Sequence, residues 1–130
     1  MIPDIDCRIE VHCEVKPTED PLKVQQAISN VLDSIELKTR QGAMTAISKD
    51  ISSLAKIHQT IQNHRSYRIY ARFLGNNLEG DTTWFYLNKQ AAFANIISLC
   101  EHANESPLGP IKIVIHSQNI ERLIEWLTSL

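Results

Sequence analysis

Residues 82–95 read TTWFYLNKQAAFAN, and the hydrophobic period changes in the middle of the stretch. Thr82, Trp84 and Tyr86 alternate with Thr83, Phe85 and Leu87, a run of aromatic and β-branched side chains that predicts a strand. Asn88 is a good helix cap, and the alanine-rich residues after it predict a helix running to about His102. Both sides of the strand are apolar. It is therefore either covered on both faces or leaves an aromatic patch exposed, and such a patch suits RNA bases or a protein interface.

The segments on either side carry the same mixed signals. Ile5, Cys7, Ile9, Val11, Cys13 and Val15 alternate with Asp6, Arg8, Glu10, His12 and Glu14, a half-buried strand with one wet face. Asp20 caps the next segment, Pro21 fits its first helical position, and Leu22, Val24, Ala27, Ile28, Val31 and Leu32 form an apolar stripe. Ile35 and Leu37 mark a second strand, Gly42 a turn, and AMTAIS a third strand. A helix beginning near Asp50 places Leu54, Ile57 and Ile61 on one side, breaks near Asn63, and resumes as SYRIYARFL up to a left-handed cap at Gly75. After the loop around Pro107, Gly109 and Pro110, IKIVI predicts the last strand and IERLIEWL the last helix.

The resulting order is β-α-β-β-α-α-β-α-β-α. It describes an α+β domain with five strands in a mostly antiparallel sheet and about five helices packed on it. All 130 residues fit one domain, with no repeat or long linker, and a chain of this length buries roughly two thirds of its unfolded surface. At 43% hydrophobic and 22% charged residues the composition is globular rather than disordered.

Charge and spacing narrow the chemistry. The net charge is −2 and the isoelectric point about 6.2, whereas domains that wrap nucleic acid non-specifically usually lie above about 9. A local basic patch remains compatible with that figure. The beginning of the sequence does not read as a signal peptide, and no apolar run approaches membrane-spanning length, so a cytoplasmic protein is expected. The four glycines match no phosphate-binding loop. Cys7, Cys13 and Cys100 lack ligand spacing and read as reduced core thiols, Cys100 on an apolar helix face. No metal, no cofactor and no catalytic residue is expected.

Two groups of residues are candidates for binding. Arg65, Arg68 and Arg72, flanked by Tyr67 and Tyr70, form one row if the helix is continuous, with Arg65 at its start and out of register if it is not; such a row holds phosphates or is an ordinary solvated face. Lys89 and Gln90 open the helix after Asn88. A lysine among free backbone N–H groups suits an anion, and the other reading leaves it in water at a small dipole cost. Trp84 and Tyr86 are interface candidates, because the acid-rich wet face of the first strand makes a poor RNA platform.

With PTEDPLKVQQAI, FYLNKQAAF, PLGPIKIVI and IEWL in this order, the chain resembles an archaeal family of uncharacterised proteins described as RNA-binding and sometimes as exosome-related. The resemblance spans nearly the whole chain. Its specific motifs fall on Pro17, Thr18, Glu19, Asp20 and Pro21, and on Leu87, Asn88, Lys89, Gln90, Ala91 and Ala92. Arg72 matches an arginine of the family, while Ile69 stands where the family has an acid. The resemblance implies a five-stranded, largely antiparallel sheet, a fold similar to the ribosomal protein that binds 5S ribosomal RNA, and no catalytic residue. It makes RNA or a ribonucleoprotein the expected partner. A homodimer or protein-interaction domain is the alternative.

Overall fold

The computed structural model describes residues 2–129. Its strands are β1 (Arg8–Glu14), β2 (Glu36–Arg40), β3 (Ala43–Ser48), β4 (Thr82–Leu87), β5 (Leu99–Cys100) and β6 (Ile111–His116). Its α-helices are α1 (Pro21–Val31), α2 (Ala55–His64), α3 (Tyr67–Asn76), α4 (Lys89–Phe93) and α5 (Ile120–Leu127). The strands form one sheet in the order β2-β3-β1-β6-β4-β5, with every neighbouring pair antiparallel. This is the expected α+β architecture with one strand more than the sequence suggested.

The extra strand comes from a shorter helix. The segment after Asn88 does not continue to His102, because α4 ends at Phe93 and Asn95 turns left-handed at φ 64°. Asn95 N–H donates to Ala92 O at 2.9 Å and Ile96 N–H to Ala91 O at 2.8 Å, the paired bonds that close a helix end. Asparagine tolerates that backbone better than most residues. The chain then returns to pair Leu99 with Leu87 and Cys100 with Tyr86, so Cys100 lies on a strand rather than a helix.

Two other helix ends differ from expectation. Gly75 is no left-handed cap, because α3 passes through it to Asn76 and the positive-φ glycines are Gly42, Gly80 and Gly109. Arg65 itself is the left-handed residue between α2 and α3, at φ 53°. Leu22, assigned to the apolar stripe of α1, is 72% exposed, whereas Val24, Ala27, Ile28 and Val31 are buried.

The core lies on one side of the sheet. Ile9, Val11, Met44, Phe85, Ile113 and Ile115 form a single cluster with Ile28, Leu54, Ile57, Ile61, Leu74 and Leu123 from the helical segments. Alternation along the strands sends the remaining side chains to the opposite face, which no helix covers among the described residues. The edge of β4 ahead of β5 is sealed rather than left open. Asn77 Nδ2 donates to Trp84 O at 3.0 Å, and Glu79 and Thr82 exchange backbone bonds.

Candidate functional site

The two sequence motifs meet, and Lys89 is where they meet. It is 3% exposed, so it does not extend into water. Its ammonium donates to Glu19 Oε1 at 2.9 Å, to Glu14 O at 2.8 Å and to Leu108 O, which uses all three of its N–H bonds. Glu19 Oε1 also accepts Lys16 N–H at 2.9 Å. The anion that Lys89 was expected to hold is a side chain of the same protein. The reading of Lys89 as an anion site is therefore corrected: the residue ties the start of α4 to the end of β1 and to the loops that hold Glu19 and Leu108.

The neighbouring motif residues are explained in the same way. Asp20 caps α1 through Leu22 N–H at 3.0 Å, with Pro21 in the first helical position. Asn88 caps α4 through Ala91 N–H at 2.9 Å. Ala92 is fully buried, and its carbonyl accepts Asn30 Nδ2 of α1 at 2.9 Å. Gln90 is exposed, but its Oε1 accepts the Ser106 hydroxyl at 3.0 Å, and Ser106 Oγ in turn accepts Lys89 N–H at 3.2 Å. Burial pushes the nearby Cys13 thiol up to about 11, with Lys89 offsetting only part of the rise. That thiol is a core group and not a nucleophile.

The arginine row is broken. Arg65 belongs to the end of α2, so only Arg68 and Arg72 share a helix, four residues apart on α3. Both are exposed, and neither has a carboxylate within 4.0 Å among the described residues. Arg72 lies 5.7 Å from the Phe73 ring. Tyr70 and Leu74 are buried in the core beneath them, as their spacing implies.

The uncovered sheet face is the larger candidate. Trp84 and Tyr86 lie on it half-buried, with ring centroids 4.9 Å apart, and Lys112 sits 4.7 Å from the Trp84 ring. The strand register places Glu10, Val114 and Trp84 in one row across β1, β6 and β4. The next rows hold His12, Lys112 and Tyr86 on one side, and Arg8, His116 and Thr82 on the other.

Acids on this face are largely occupied. Glu10 Oε2 is 2.6 Å from His116 Nε2 and 3.2 Å from Arg8 Nε, and Glu10 Oε1 is 3.6 Å from His12 Nε2. Glu14 pairs with Lys16 at 2.7 Å. Lys38, Arg40 and Lys112 have no carboxylate partner among the described residues, so the face is less acidic in effect than β1 alone suggested.

The comparisons with known proteins bear on the family and the fold. A family model described as RNA binding matches residues 8–117. The chain is 40% identical over 125 residues to a UPF0201 protein of Sulfurisphaera tokodaii, covering 93% of this chain and 86% of that one. It belongs to the UPF0201 family. A UPF0201 protein of Saccharolobus solfataricus is 36% identical, covering 92% of this chain and 86% of its own. The crystal structure of the Methanococcus jannaschii UPF0201 protein superposes with a TM-score of 0.78 at 24% identity, covering 93% of this chain and 92% of that one. A DUF54 protein from Archaeoglobus fulgidus shares the fold at a TM-score of 0.70 and 20% identity, over 98% and 99% of the two chains. No helix of the described residues is long and apolar enough to cross a membrane.

Proposed function

We propose that this UPF0201 protein is a non-catalytic domain that binds single-stranded RNA across the open face of its sheet. The observation that carries the reading is the half-buried Trp84–Tyr86 pair on a sheet face without covering helices. Bases stack on such rings regardless of sequence, and each stacked base contributes about 1–3 kcal/mol. Lys112 rests on Trp84 in the free protein, so a stacking base displaces it and releases its ammonium to a phosphate. Lys38 and Arg40 extend the cationic track along β2, whereas Arg68 and Arg72 stand on α3, on the helical side of the sheet, and reach only RNA that continues past the sheet edge. The family description supports RNA as the ligand.

A labelled, unstructured RNA oligonucleotide titrated with the protein at several salt concentrations tests this reading. The affinity is expected to fall as salt rises, with Trp84 fluorescence quenched on binding; salt-independent affinity would overturn the phosphate contacts. A second reading, a homodimer or other protein interface on the same face, draws on the apolar exposure of Ile47, which is 47% exposed in the same cross-strand row as Trp84. Scattering from the RNA-free protein separates the two. A dimer whose formation is lost in Trp84→Ala favours the interface, and a monomer removes the homodimer.

A further inference from the structure

We propose that Arg8, His12 and His116 form a phosphodiester-binding cradle on the open sheet face, which Glu10 fills in the free protein as an internal stand-in for the phosphate. The inference rests on the RNA reading above and adds the place where the backbone is gripped.

Three donors from two strands converge on one carboxylate. Glu10 Oε2 accepts Arg8 Nε at 3.2 Å and lies 2.6 Å from His116 Nε2, while His12 Nε2 stands 3.6 Å from Oε1. A guanidinium with two imidazoles is a donor set that accepts either a carboxylate or a phosphate oxygen. The His116 ring is oriented from a third strand, because Thr82 Oγ1 lies 2.8 Å from its Nδ1. The cradle is thus held in shape by β1, β4 and β6 rather than by Glu10 alone.

It is also accessible. The side chains of Arg8 and His12 are 53% and 50% exposed, and Glu10 is 22% exposed. The Glu10 carboxylate makes no other hydrogen bond or ion pair among the described residues, so a rotamer change vacates the position without breaking a cap or a core contact. Location ties it to the aromatic platform. Glu10 faces Val114, which faces Trp84, so β1 lies two strand spacings, about 10 Å, from the stacking strand. A base on Trp84 brings the neighbouring phosphates of the same strand over this cluster. Glu10 then competes with RNA for the same donors, which makes it a brake on weak or non-specific anions.

The test compares wild type, Glu10→Gln and Glu36→Gln as full chains binding a fluorescein-labelled oligouridine over a range of salt. Glu36 lies on β2 of the same face with no cation partner among the described residues, so it controls for net charge. Glu10→Gln is expected to bind about tenfold tighter, as one charge-assisted contact is freed, with a salt slope steeper by about 0.7 for one added phosphate. Glu36→Gln is expected to change affinity less than about twofold, as for a screened surface charge. Adding Arg8→Gln to Glu10→Gln removes the gain.

Equal gains from the two glutamates, or no gain from Glu10→Gln while wild type binds, would overturn the cradle and leave the RNA reading standing. Failure of every variant to bind at low salt would overturn both. A wild-type readout needs no variant to fold: imidazole resonances of His12 and His116 shift on adding the RNA while those of His58 and His64 do not. Unmoved His12 and His116 signals alongside binding would also sink the cradle.

Discussion

Two carboxylates in this protein each sit among nitrogen groups, with opposite consequences. Glu19 and Lys89 are buried between loops, and the ammonium has no N–H left for a ligand. Glu10 gathers Arg8, His12 and His116 on a wet sheet surface where water and counter-ions compete for every contact. Burial makes the first cluster structural, since a dry charge that loses its partner cannot be rescued by solvent. Exposure leaves the second exchangeable, because each contact there has an alternative at small cost. The residue that looked most like an anion site from its position is the one that cannot be, and the acid-rich strand is the one that faces solvent.

Lys89→Met puts the sharpest strain on that contrast. It leaves Glu19 buried without a cation and two carbonyls without a donor, and it is expected to lower unfolding stability by about 3–5 kcal/mol. Denaturant unfolding measures it. A loss below about 1 kcal/mol would place Lys89 with the surface pairs. Replacing Glu19 by Leu in the same variant is expected to recover part of the loss, because no orphan charge remains.

Trp84→Ala tests the other side. RNA affinity is expected to weaken by about 1–3 kcal/mol with the fold retained, read by anisotropy and circular dichroism. If stability collapses while affinity per folded molecule holds, the open face is a structural surface like the Lys89 junction. Arg65→Gly separates structure from charge within the arginine series. Relief of the left-handed backbone is expected to stabilise the protein by about 0.5–1 kcal/mol, even though a cation is lost. Arg68→Gln with Arg72→Gln has the smallest expected effect. Stability stays within about 0.5 kcal/mol, and the salt slope of RNA binding falls by up to about 1.4 if both hold phosphates of a single strand. An unchanged slope confines the RNA to the sheet.

Much of the fold is legible in the sequence, for local reasons. The strict alternation from Ile5 to Val15 has one solution on a half-covered sheet, and Asp20-Pro21 and Asn88 announce helix starts through bonds that each residue makes to its own neighbours. The misread helix end had a signal too, since Asn95 is among the few residues at ease in a left-handed turn. That signal competed with an apolar run, Ile96 to Cys100, whose spacing suits a helix as well as a strand. Pairing with Tyr86 and Leu87 decided the matter. Gly75 is the converse case: a residue suited to a cap, carried through by a helix whose Leu74 carbonyl accepts the Thr83 hydroxyl at 2.6 Å.

The sequence by itself determined the α+β class, most helix starts, the buried side of each main strand and the specificity of the two motifs, because these follow from periodicity and from bonds within a few residues. Tertiary structure alone decided what those residues do. Glu19 and Lys89 are 70 positions apart, and only the packing of α1 against α4 turns a lone cation into a closed ion pair. The uncovered face is likewise a property of the whole sheet: every helix chose the same side, and that choice left Trp84, Tyr86 and the Glu10 cluster facing water.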